Sequence, residues 1–172
     1  NKDKLNQIKL MLDDIVLKMP EDFGYDDFEV LEDGDTLREN AYKKATTLYK
    51  LVKKPVIADD TGLFVKSLDN RPGIKSHRYA GENANYKDNR DKLLAELKDK
   101  IDRYAYFQTC ICYIDSKECV HYFEGNLDGT ITYKESGKYD FGYDQIFMHK
   151  DHNKTLGEMT PEEINAISHR AI

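Results

Sequence analysis

The chain has 172 residues, 40% of them hydrophobic and 34% charged, which suits one soluble globular domain, residues 1–172, able to bury a real core. Its apolar runs last only a few residues, far short of the roughly 20 needed to span a bilayer, and no charged-then-apolar signal segment opens it. A formal net charge of −6 disfavours duplex nucleic acid as a partner and leaves room for a small phosphorylated ligand in a local basic pocket.

The chain starts at Asn1 without a Met, so residues are expected to be missing there and also after Ile172, which falls inside an expected helix. Leu5, Ile8, Leu12 and Ile15 recur at helical spacing and predict a helix over residues 2 to 14. The acidic stretch FEVLEDGD follows, with Glu29, Glu32, Asp33 and Asp35. It reads as a solvated loop or as the source of a carboxylate for a Mg²⁺ site. A second helix begins at Asp35-Thr36, with Thr36 as N-cap and Glu39 as its capping-box partner. Its apolar face holds Leu37, Ala41, Ala45, Leu48 and Leu51. Lys44 falls on that same face, where it either snorkels to the rim or aims its ammonium at a phosphate.

KKPVIADD then switches to strand composition, and Val56-Ile57-Ala58 runs into Asp59 and Asp60. Thr61 and Gly62 are expected to turn the chain before Leu63-Phe64-Val65. Successive strand residues point to opposite faces, so only one of the two acids can enter a given cleft. The pair reads as a solvated turn, or as a hard oxygen ligand and a base that activates water.

YKDNRDKLLAELKD is a third helix with Leu93, Leu94 and Leu97 inward. From Tyr104 the segments YAYFQTCICYID, ECVHYFEGNL and GTITYK predict an antiparallel meander, with turns at Asp115-Ser116-Lys117 and Leu127-Asp128-Gly129. Cys110 and Cys112 share a face of one strand. With Cys119 they make an odd count without metal-ligand spacing, consistent with reduced thiols and a cytoplasmic setting. In YDFGYDQIF, Phe141, Gly142, Tyr143 and Asp144 read as core packing or as a base pocket. Thr160-Pro161-Glu162-Glu163 starts a last helix, expected to carry Ser168-His169-Arg170 either as an exposed end or as donors to a purine carbonyl or phosphate. The whole is an α/β chain. No CxxC pair, GxGxxG, GxxxxGK[ST] or HExxH occurs, which disfavours zinc hydrolase, dinucleotide and P-loop chemistry.

Seven motifs occur in order: NKDK, ENAYKKA, VIADDTGL, RPGIKSHRYAG, DFGYDQIF, KTLGEMTPEE and NAISHR. With them the chain resembles the inosine triphosphate pyrophosphatase family over nearly its whole length. The resemblance implies an elongated mixed β-sheet flanked by helices, two lobes with a central cleft, and a homodimer. It implies Mg²⁺-dependent hydrolysis of ITP, dITP or XTP to the monophosphate and pyrophosphate. Asn1 and Lys4 then match the family's phosphate loop, Lys44 its phosphate-binding lysine, Glu32 its metal-binding glutamate, and Asp60 its metal ligand and catalytic carboxylate. Thr61 would approach the triphosphate. Phe141, Gly142, Tyr143, Asp144, Ser168, His169 and Arg170 match the base pocket, and Arg78 an arginine frequent in bacterial members. Two positions depart from the family: Ile164 replaces a lysine that helps hold the base, and Gln145 replaces a proline, which is expected to loosen the base loop. The alternatives are the same scaffold acting on another modified nucleotide, and a non-catalytic nucleotide-binding protein.

Overall fold

The computed structural model describes residues 1–12 and 14–171; Asp13 and Ile172, both placed in expected helices, lie outside the described residues. Helix α1 spans Lys2–Met11. Its first turn is closed by Asn1, whose side-chain oxygen accepts the N–H groups of Asp3 (2.9 Å) and Lys4 (3.3 Å). The helix stops short of residue 14 because Leu12 leaves helical geometry, with φ −123° and ψ 67°.

Helix α2 spans Leu37–Val52. Thr36 caps it as expected, its hydroxyl accepting the Glu39 N–H at 3.1 Å. The Glu39 carboxylate takes the Asp35 N–H at 2.7 Å. Leu37, Ala41 and Ala45 are buried, as their spacing predicts. Leu51 is not, at 44% exposed. It lines an open cavity of about 420 Å³ with Tyr25, Phe28 and Thr47, while its neighbours Tyr49 and Val52 pack against the core.

Strand β1 is the continuous run Val56–Val65, so the turn expected at Thr61-Gly62 does not form. Gly62 serves instead as a point of close approach. A Cβ there would lie 2.6 Å from the carbonyl oxygen of Gly73, in strand β2 (Arg71–Gly73), which pairs antiparallel with β1. Helix α3 spans Tyr86–Glu96 and is capped by Asn85. It directs Leu93 and Leu97 fully inward and Leu94 partly so.

Strand β3 (Tyr104–Ile114) and strand β4 (Val120–Ile131) flank the turn predicted at Asp115, where the Asp115 N–H donates to the Cys119 carbonyl at 3.0 Å. The second expected turn, at Leu127-Asp128-Gly129, is absent: β4 runs through it. The cause is again close approach. A Cβ on Gly129 would lie 2.4 Å from the Met148 carbonyl oxygen and 2.6 Å from the Phe147 ring, both in strand β5 (Phe147–His149). The sheet order is β2-β1-β3-β4-β5, with β4 and β5 antiparallel.

Helix α4 spans Pro161–Ile167 and has the predicted Thr160 cap, which Glu163 completes as a capping box. Ser168-His169-Arg170 does not continue it. The Ser168 hydroxyl takes the Arg170 N–H (3.1 Å) and the Ser168 carbonyl the Ala171 N–H (2.8 Å), so serine offers the backbone a turn in place of another helical step.

The chain divides into two compact units, Asn1–Asp60 with Thr109–Gly125, and Thr61–Gln108 with Asn126–Ile172; the boundary within β1 is the bond between Asp60 and Thr61. The first unit has a small core around Ala41, Ala45, Val56, Cys112 and Ile114. The second has a larger one that includes Leu63, Leu93, Phe107, Phe147 and Ile164. Each fully buried side chain of this size contributes about 1.5–3 kcal/mol. Among the described residues no helix is long and apolar enough to cross a membrane.

Candidate functional site

In the first unit the polar side chains gather on α2 and β1. Asn40 and Lys44 lie one helical turn apart on the buried face of α2. The Lys44 ammonium is 3.0 Å from Glu32 Oε1 and 3.3 Å from Asp60 Oδ1, so one cation joins both candidate metal-binding acids. Asn40, 1% exposed, donates from Nδ2 to Asp60 Oδ2 at 3.2 Å. Its Oδ1 accepts the Gly34 N–H at 2.9 Å, which ties the acidic loop to the same helix. Lys43, next along, pairs with Asp33 at the surface. Asp59 and Asp60 take different lysines, as opposite strand faces predict: Asp59 Oδ1 is 3.0 Å from Lys4 on α1. The Asn1 cap fixes the turn that carries Lys4.

Three carboxylates, Glu32, Asp59 and Asp60, thus face two ammoniums. Burial pushes the Asp60 carboxyl above its ordinary range, and Glu32 adds to this; Lys44, Lys4 and the Asn40 hydrogen bond oppose without cancelling it. Burial works against the charge on Lys44, yet Asp60, Glu32 and Asp59 outweigh it and hold the ammonium above its usual value. Such a cluster favours the arrival of further positive charge at its acids.

The second unit assembles the aromatic and carboxyl-terminal candidates. Thr61 Oγ1 accepts from Arg170 Nη2 at 3.1 Å. The Arg170 guanidinium also stands 5.9 Å from the centre of the Phe141 ring. His169 is stacked on Phe107 at 5.1 Å, and Ser168, His169 and Arg170 are all buried. Tyr143 is buried, its hydroxyl donating to the Ser76 carbonyl at 2.6 Å, and burial pushes the phenol well up. Asp144, also buried, closes a turn through its N–H to the Phe141 carbonyl at 3.0 Å. Arg78 lies on the turn Ser76–Arg78, with its guanidinium 3.5 Å from exposed Glu82.

The two family departures have clear settings. Ile164 is packed into the apolar core of the second unit. Gln145 places its side chain against the same loop, donating to the Gly137 carbonyl at 2.9 Å. Sequence reasoning missed Asn40, although its position four residues before Lys44 on the apolar face carried the signal.

The sequence model of the Ham1 family matches residues 1–172. A dITP/XTP pyrophosphatase of Bacillus subtilis is 45% identical over 145 residues, which cover 83% of this chain and 73% of that protein. A dITP/XTP pyrophosphatase of Desulfotalea psychrophila is 40% identical over 172 residues, covering 99% of this chain and 77% of that one. Among solved structures, the Staphylococcus aureus Ham1 protein superposes with a TM-score of 0.85 at 38% identity, covering 99% of this chain and 88% of its own. A family match along the entire sequence, joined to a fold match of this quality, settles the relationship: the chain belongs to the Ham1 family.

Proposed function

We propose that this chain is a nucleoside triphosphate pyrophosphatase that hydrolyses dITP, ITP and XTP to the monophosphate and pyrophosphate, clearing deaminated purines from the nucleotide pool. The observation that carries this reading is the Glu32–Lys44–Asp60 bridge, in which two carboxylates and an ammonium meet on the face of one helix. The names of the relatives support the substrate class.

A triphosphate brings several negative charges to a protein of net charge −6, so its counter-charges must be local. Lys4 and Lys44 supply two of them. Water attacks the α-phosphorus: a new P–O bond forms, the α–β anhydride breaks, and pyrophosphate leaves. Asp60 orients this water and takes its proton. The resemblance implies Mg²⁺, and the donor set fits it. Glu32 and Asp60 already direct hard oxygens at one cationic group, and Mg²⁺ typically takes one or two carboxylates with substrate phosphates completing the shell. Among the described residues no group of three or more His, Cys, Asp or Glu could hold a metal, so the fit rests on these two acids and the ligand. When bound, Mg²⁺ supplies charge neutralisation on the phosphate oxygens.

Phe141 offers its ring to the base, and Asp144 accepts a base N–H. His169 and Arg170 donate to the 6-carbonyl of hypoxanthine or xanthine. Adenine presents an amino donor at that position and leaves them unsatisfied, a mismatch that costs about 10⁴ in selectivity. Pyrophosphate release from dITP, ITP, XTP, dGTP and ATP in the presence of Mg²⁺ tests the reading. Turnover of dITP and XTP no faster than ATP would refute it, and an active, folded Asp60→Asn variant would remove Asp60 from its role. A second reading, the same reaction on another modified nucleotide, is favoured by Ile164, an uncharged side chain where the family has a lysine. The resemblance further supports a cytoplasmic homodimer, which sedimentation and cell fractionation test.

A further inference from the structure

Arg90 is among the largest fully buried side chains of the described residues and has no part in the chemistry above. It stands on α3, and its Nε donates to Glu135 Oε1 at 2.7 Å. Its Nη1 donates to Asp140 Oδ1 at 2.7 Å and to the carbonyl oxygen of Gly142 at 2.9 Å. Burial opposes the charge, but the hydrogen bonds to Glu135 and Asp140 outweigh it and keep the guanidinium firmly protonated. One planar fork therefore grips both ends of the segment 135–142. Two of its three acceptors, Asp140 and the Gly142 carbonyl, bracket Phe141.

The same helix face touches Phe141 a second time. Tyr86, one turn before Arg90, sets its ring edge-on to the Phe141 ring, with centroids 5.8 Å apart and planes at 86°. Helix α3 is itself anchored by Leu93 and Leu97, both wholly buried. A rigid helix thus presents a charged fork and an aromatic edge, one turn apart, to a single loop residue and its flanking backbone. A buried charge costs several kcal/mol to desolvate, so a core built for stability alone is served as well by an apolar side chain.

We propose that Arg90, assisted by Tyr86, is a positioning residue for Phe141: it fixes the aromatic platform on which the purine base is bound, and so governs base affinity from a helix that touches no phosphate. This rests on the function proposed above. Arg90→Met removes the fork and keeps the length of the side chain. It is expected to raise KM for dITP about tenfold while kcat at saturation falls less than threefold. Inorganic tripolyphosphate, a competitor without a base, is expected to inhibit the variant and the wild type with the same Ki. Arg90→Lys, which keeps the charge but not the fork, is expected to recover only part of the loss.

Thermal melting decides whether Arg90→Met folds. If it does not, Asp140→Asn and Tyr86→Leu carry the test, each expected to raise KM for dITP about threefold with the tripolyphosphate Ki unchanged. A wild-type KM in Arg90→Met or in both substitutes, or equal losses for dITP and tripolyphosphate, overturns the proposal and leaves the pyrophosphatase reading standing. A wild-type protein that releases no pyrophosphate from dITP or XTP overturns both.

Discussion

Asn40 provides a test of the acid cluster that changes almost no volume. Its amide orientation is fixed by its two partners: Oδ1 accepts the Gly34 N–H at 2.9 Å, and Nδ2 donates to Asp60 Oδ2 at 3.2 Å. Asn40→Asp keeps the first contact and turns the second from a donor into a like charge. At an effective dielectric of about 20, two unit charges 3.2 Å apart repel by roughly 5 kcal/mol, in addition to a lost charge-assisted hydrogen bond of about 1.5–3 kcal/mol. Proton uptake relieves part of this, so a net destabilisation of about 3 kcal/mol is expected at neutral pH, with a melting point lower by roughly 6–12 °C for a chain of this size. Asn40→Ala removes both hydrogen bonds without adding charge. It is expected to cost less at neutral pH and to lose none of that difference at low pH by proton uptake at residue 40. Melting curves between pH 5 and 8, run beside pyrophosphate release from dITP, measure both effects. An Asn40→Asp variant as stable and active as the wild type, or one more stable than Asn40→Ala at neutral pH, would refute the reasoning.

Gly129→Ala places a methyl group 2.4 Å from the Met148 carbonyl, so β5 must shift. The cost is about 1–3 kcal/mol, read as a drop in melting temperature, whereas a turn glycine in open space would show none. His149 is buried, and burial first, then His152 and Lys150, depress its pKa below the ordinary 6.5 against the pull of Asp151 and Asp128. The unfolded chain therefore binds the proton more readily. Stability is expected to be fully present above pH 6.5 and to fall as pH drops through it, a dependence that His149→Gln should flatten in melts from pH 5 to 7.5. Cys119 is exposed, whereas burial pushes the Cys112 thiol up to about 11 and raises that of Cys110 as well. A disulfide reagent should titrate one thiol in the native protein at pH 8 and three after denaturation.

What the sequence disclosed divides along a physical line. Signals that are local in the chain were readable: the Thr36 and Thr160 caps, the 3.6-residue spacing that puts Lys44 among Leu37, Ala41 and Leu48, and the alternation that parts Asp59 from Asp60. Gly62 and Gly129 were misread for one shared reason. Each sits beside a polar residue of turn character, yet each is small because the neighbouring strand comes close, a demand invisible without the fold. Asn40 is intermediate: its place on the helix face was visible, but its partners Gly34 and Asp60 lie six and twenty residues away. The early end of α4 turned on one serine hydroxyl competing for a backbone N–H.

Ile164 has a wider meaning than the loss of a charge. Its side chain belongs to the core of the second unit, and its carbonyl accepts the Ser168 N–H at 2.8 Å, so the turn carrying His169 and Arg170 hangs from a residue held by apolar packing. Under the proposed reading, fidelity toward the base inherits the temperature sensitivity of the hydrophobic interior. Warming that loosens the packing around Ile164 would blur the choice among purines while Lys44 and Asp60, seated in the other unit, go on cleaving.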